Sequence, residues 1–136
     1  MQITREFAKY QVVPVTFFQA NVAASQTAVA LKEATNQNTG VVMPFAGQIV
    51  AVTCTLSAAA TAGTLTASAT VGGTVDADTA CAITTETGKV TVVPRDKTSF
   101  VAGDLVGVKI TSSGTWDGTT ADLTVTVFVA LAVEGV

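Results

Sequence analysis

The tightest constraint on this chain is an alternation of period two that recurs along it. From Asp122 to Leu131, the residues Leu123, Val125, Val127, Val129 and Leu131 fall on one side of an extended chain, and Thr124 and Thr126 on the other. Gly63 to Val71 sets Leu65, Ala67, Ala69 and Val71 against Thr64, Thr66, Ser68 and Thr70. Asp104 to Thr111 turns Val106, Val108 and Ile110 one way and Lys109 the other. Successive side chains point to opposite faces only in a strand, so each segment reads as a strand with one face on a core and one in water. Alanine, valine and threonine make up about half of the chain. Two of these are β-branched and favour strands, and the third packs anywhere. No segment of comparable length has helical periodicity. Residues 22–34 are alanine-rich and could form a turn or two of helix, but Gln26 to Leu31 also alternates and is read as strand.

The punctuation agrees with many short strands. Runs near residues 11–18, 26–31, 40–43, 47–56, 63–71, 79–84, 89–93, 104–112 and 121–132 are separated by turn residues. Gly72-Gly73 is a two-residue hairpin signal, and Gly103-Asp104, Ser113-Gly114 and Asp117-Gly118 mark further turns. Pro14 interrupts the run Gln11 to Phe18, which places that strand at an edge or at a bulge. The expectation is one all-β domain over residues 1–136, an antiparallel two-sheet sandwich and foremost a jelly roll, with residues 1–10 as a short N-terminal arm.

Composition removes most chemistry. Histidine is absent, which excludes imidazole acid–base catalysis, His-based metal sites and Ser–His or Cys–His nucleophile pairs. Seven basic against ten acidic side chains give a net charge of −3, with no basic patch to hold nucleic acid. Asp76-Ala77-Asp78 could offer two carboxylates to calcium, but calcium wants six to eight oxygens, and a solvated turn is the simpler reading. Gly88-Lys89 ends like a P-loop, yet Ile83 and Val90 stand where its first glycine and its Ser/Thr belong. No enzyme activity, cofactor or metal is expected. Met1 to Phe7 carries charges of both signs and no apolar segment, so it reads as no secretory signal and the chain as made in the cytoplasm. The longest apolar run, Val127 to Val133, is far short of a membrane-spanning helix, and no membrane partner is expected. Cys54 shares a strand face with Val50, Val52 and Leu56 and reads as a buried small hydrophobe. A Cys54–Cys81 disulfide is the alternative, disfavoured in reducing cytoplasm.

The residues that break inside-out alternation point to function. Phe128 lies on the threonine face of the last strand, where it is covered either by a loop or arm or by another subunit. The first strand is apolar on both faces: Val12, Pro14 and Phe18 on one, Val13, Val15 and Phe17 on the other. A two-sided apolar edge needs cover, and a second copy of the chain is an economical one. The only tryptophan, Trp116, sits in a Gly/Thr/Asp loop beside Asp117. It could form a sugar platform, or it could fold back to plug the end of the sandwich.

Four stretches, Met43 to Val50, Thr61 to Thr66, Phe100 to Lys109 and Thr115-Trp116 with Thr120 to Val125, occur in this order. Together, over roughly residues 40–131, the chain resembles small β-rich structural proteins of tailed bacteriophages, among them head decoration (cement) proteins and fibre-associated domains. The resemblance implies a jelly-roll-like domain that trimerises and binds a virion surface. Two expectations follow. The first is a capsid decoration protein, a homotrimer on the capsid surface that clasps neighbouring major capsid protein subunits against internal DNA pressure. Its contacts would come from Ile3, Phe7, Tyr10, Phe17, Phe18 and Phe128. The second is a receptor- or carbohydrate-binding domain of a fibre or tail, with Trp116 and Asp117 as glycan contacts.

Overall fold

A computed structural model describes residues 10–33 and 39–133. Strand β1 (Tyr10–Gln19) is followed by three two-residue strands, β2 (Val29–Ala30), β3 (Lys32–Glu33) and β4 (Val41–Val42). Next come β5 (Gly47–Leu56), β6 (Leu65–Val71), β7 (Thr74–Val75), a 3-10 turn (Ala77–Thr79) and β8 (Cys81–Ile83). The chain continues through β9 (Gly88–Val92), β10 (Ser99–Phe100) and β11 (Leu105–Ser112) to β12 (Leu123–Ala132).

All pairings are antiparallel, in two sheets. The first runs β3-β1-β12-β5, and β9 and β10 share the far edge of β5; the second has β11 and β6 at its centre, with β2 and β4 beyond β11 and β7 and β8 beyond β6. Counting β2 to β4 as one broken strand, β7 with β8, and β9 with β10, the chain has eight strand positions. The first sheet then reads one-eight-three-six and the second two-seven-four-five. That interleaving is a jelly roll, two Greek keys folded on each other. The segment 29–33 is shared between the sheets: β2 pairs with β11, β3 with β1, and buried Leu31 between them donates its N–H to the Val108 carbonyl at 2.9 Å.

The predicted alternation builds the core. Leu65 and Ala67 of β6 and Val106, Val108 and Ile110 of β11 face Val52 of β5 and Leu123, Val125, Val127 and Val129 of β12, all fully or almost fully buried. Each large apolar side chain so buried contributes roughly 1.5–3 kcal/mol. Where β12 meets β5 the register slips by one residue at Phe128/Val129, leaving Val50 unopposed. The Val50 carbonyl accepts instead from Val93 N–H at 2.9 Å. Gly72 and Gly73 join β6 to β7 with both φ angles positive (61° and 82°), the geometry of the two-residue hairpin that the sequence signals. Among the described residues Pro14 pairs with Phe128 of β12, and β3 meets β1 at Phe17 and Phe18.

One expectation needs correction here. Ser68 and Thr70 were to face water, but both are buried. The chain at Thr39-Gly40 crosses the outside of the second sheet at Gly107, where an added Cβ would stand 2.5 Å from the Thr39 carbonyl oxygen and 3.1 Å from the Thr70 hydroxyl. Only glycine lets the backbone pass that close. Cys54 and Cys81 are both buried and free. Asp76 and Asp78 serve the turn: the Asp76 carboxylate accepts from the Asp78 N–H at 2.9 Å and caps the 3-10 segment.

Candidate interaction surface

The outer face of the first sheet follows directly from strand register. Phe128 stands opposite Pro14 on one side and Ala51 on the other, and Ala51 opposite Val92. Thr126 stands between Thr16 and Thr53, and Thr53 opposite Val90. Thr124 stands between Phe18 and Thr55, and Ala130 between Val12 and Gln48. The result is a continuous field of apolar and threonine side chains across four strands. The only charged residue in β1, β12, β5 and β9 is Lys89, and it registers with inward-facing Cys54 rather than with the outer rows.

Much of this field is open. Val92 is 75% exposed, Val12 58%, Val90 57%, Tyr10 54% and Phe18 39%, with Phe128 half-buried at the centre. At about 3.3 Å per residue and about 4.8 Å between strands, the face covers on the order of 500 Å². Apolar patches of that size on a soluble domain are often contact sites. By contrast, the outer face of the second sheet is crossed at Gly107 and carries Lys109, whose ammonium donates to the Gly73 carbonyl at 2.7 Å.

The sequence-derived contact residues separate on the structure. Tyr10, Phe18 and Phe128 lie on this one face, and Tyr10 is the first residue of β1 rather than part of an arm. Ile3 and Phe7 lie outside the described residues. Phe17 is a correction: it points between the sheets with no exposed surface, because β1 turns alternate residues inward and 17 has core parity. Val12, Val90 and Val92 were missed as a group. Their signal was present in the alternation of Val90, Thr91 and Val92, but which strand lies beside which is not local information.

Of the two readings of the Trp116 loop, sugar platform or plug, the structure has the plug. Trp116 is 2% exposed and its indole N–H donates to the Val22 carbonyl at 3.2 Å. The Asp117 carboxylate accepts from Thr61 N–H (2.9 Å), Ala62 N–H (3.0 Å) and the Thr61 hydroxyl. Those bonds, the hydroxyl first, hold Asp117 below the ordinary carboxylate range. A stacked sugar requires a free aromatic face, and Trp116 has none, so the glycan assignment of Trp116 and Asp117 is set aside. Glu86 works similarly at another turn. It is lowered to about 2, first by a hydrogen bond from its own backbone N–H and then by the Thr84 hydroxyl and the N–H groups of Thr84 and Thr85. Both carboxylates are structural caps. Among the described residues no three His, Cys, Asp or Glu side chains gather as metal ligands would.

No protein family matches the chain, and no curated protein does. Among solved structures, a chain of the capsid asymmetric unit of cyanophage Pam1 aligns over 90% of this chain and 84% of its own, at 13% identity and a TM-score of 0.45. At that score and identity, neither fold nor function passes from one chain to the other.

Proposed function

We propose that this chain is a virion structural protein without enzymatic activity, a capsid decoration protein that acts as a homotrimer on the phage head. The observation that carries the reading is the outer face of β1, β12, β5 and β9, which presents no charged side chain among Tyr10, Val12, Phe18, Val90, Val92 and Phe128 and is bordered by Lys32 of β3 beside Phe18. Four adjacent strands without an outward charge have little defence against another protein surface. The face is somewhat smaller than the ~800 Å² that each partner gives to a standard interface. A contact of that size is modest alone, and closing a ring of three adds a third contact that is already intramolecular, so the trimer is held more tightly than a pair.

In this reading the face is the subunit contact of the trimer, and the trimer is the clasp between neighbouring major capsid protein subunits. The order of the sequence stretches that resemble head decoration proteins supports the same assignment. The jelly roll suits a mechanical role, since its two sheets share one continuous core and resist shear as a unit.

The test has two arms. Light scattering of the purified chain should give a trimer, and that trimer should bind expanded, undecorated heads. Val92→Lys should break the trimer while the isolated domain keeps its fold. A stable monomer that ignores such heads contradicts the proposal.

A further inference from the structure

The core holds two thiols on opposite sheets. Cys54 lies on β5 of the first sheet, in register with Val125 on one side and Lys89 on the other. Cys81 opens β8 of the second sheet, in register with Ala67 of β6. Both point inward and both are buried. At this side of the sandwich the sheets converge, because the short connection 84–87 carries the chain from β8 directly to β9 beside β5. Cα atoms of β5 and β8 come within 8 Å of one another. The two thiols lie near enough to perturb each other's ionisation. The Thr91 hydroxyl of β9 lies at the same junction and donates to the carbonyl of Ala80, the residue before Cys81, at 2.9 Å.

We propose that Cys54 and Cys81 are a latent disulfide site, which staples one sheet to the other when the protein meets an oxidising small-molecule disulfide such as oxidised glutathione. Both thiols enter the same part of the core from facing sheets, so a bond of ~2.05 Å between them asks for side-chain adjustment and a small backbone approach rather than a new fold. The surroundings set the order of events. The neighbouring Cys54 thiol, then the Thr91 hydroxyl and the Lys89 charge, favour the thiolate at Cys81, while Cys54 is held protonated by Cys81 and by burial. Thiolate is the attacking species.

The Cys81 thiolate attacks one sulfur of the oxidant, whose S–S bond breaks and releases one glutathione thiolate. Cys54 gives up its proton, to that thiolate or to water, and attacks the Cys81 sulfur, releasing the second glutathione. Two protein thiols lose two protons and two electrons, and one external disulfide is reduced to two thiols. The oxidant reaches the buried thiols only when the segment 74–83 opens locally, against the Thr79 hydroxyl's bonds from Ala69 N–H (2.8 Å) and to the Asp76 carbonyl (2.7 Å).

The test uses the reduced full chain with excess oxidised glutathione at mildly alkaline pH. The expected product has lost two hydrogens, carries no glutathione, and yields a Cys54–Cys81 linked peptide. Its melting temperature should rise by on the order of 5–10 °C and return on reduction with dithiothreitol. Cys81→Ser should show neither change. The inference is overturned by a stable glutathione adduct without an internal bond, by a bond between chains, or by a lowered melting temperature after closure. Thiols that stay free in the folded protein while they react in mild denaturant overturn it as well.

Discussion

At Trp116 two glycines make room, Gly63 for the backbone and Gly118 for the indole. A Cβ at Gly63 would stand 2.4 Å from the Trp116 backbone, and one at Gly118 would stand 2.5 Å from the ring. The loops 57–64 and 113–121 are thus built around one side chain, with Asp117 locking the first to the second. Trp116→Ala should cost about 3–5 kcal/mol in chemical denaturation, the figure for a core aromatic. A near-neutral result would mean that the end of the sandwich does not depend on this plug. Glu86 gives a pH prediction whose sign follows from its lowered value. A carboxylate held below its usual 4.5 stabilises the fold fully above about pH 4.5 and loses that contribution as the pH falls toward about 2. Melting temperatures of the wild type and Glu86→Gln should therefore differ at neutral pH and converge near pH 2. At this scale the sequence was partly legible. A tryptophan between small and turn-forming residues left two readings open, because whether a ring folds inward depends on the distant Val22 carbonyl that receives its N–H.

At the scale of elements, the long strands could be read to within a residue or two because alternation over seven to ten residues is a strong signal; β5 occupies 47–56, as its run of residues suggested. Strands β7 and β10 could not, since two residues are too short to alternate. The burial of Thr70 was equally hidden, because a chain crosses beside it at Gly107 and is no part of β6 itself. That crossing can be tested. Gly107→Ala should cost about 1–3 kcal/mol, since backbone would have to move. Gly88→Ala, whose Cβ would meet only the Cys54 carbonyl at 3.9 Å, should be neutral or slightly stabilising in the same urea titration. On the outer face the logic reverses. Val92→Lys changes a side chain already 75% exposed, so the domain's own stability should shift by less than about 0.5 kcal/mol. Association should suffer far more, because a lysine without a partner would be carried into the contact.

For the whole molecule, two sheets of unlike surface make a domain with a direction. One outer face is crossed at Gly107 and carries a lysine held in place; the other is broad and open, without a charge across β1, β12, β5 and β9 and with Lys32 at its border. The two-sided apolar character of β1 foreshadowed this in the sequence, but the full face needed β12, β5 and β9 beside it, which only long-range pairing supplies. The central claim is that copies of this chain cover that face for one another. Multi-angle light scattering of the wild type beside Val92→Lys tests it most directly. The account predicts about three times 13.7 kDa for the wild type and a folded 13.7 kDa species for the variant. A wild type that stays at 13.7 kDa across concentration, or a variant that remains trimeric, would contradict it.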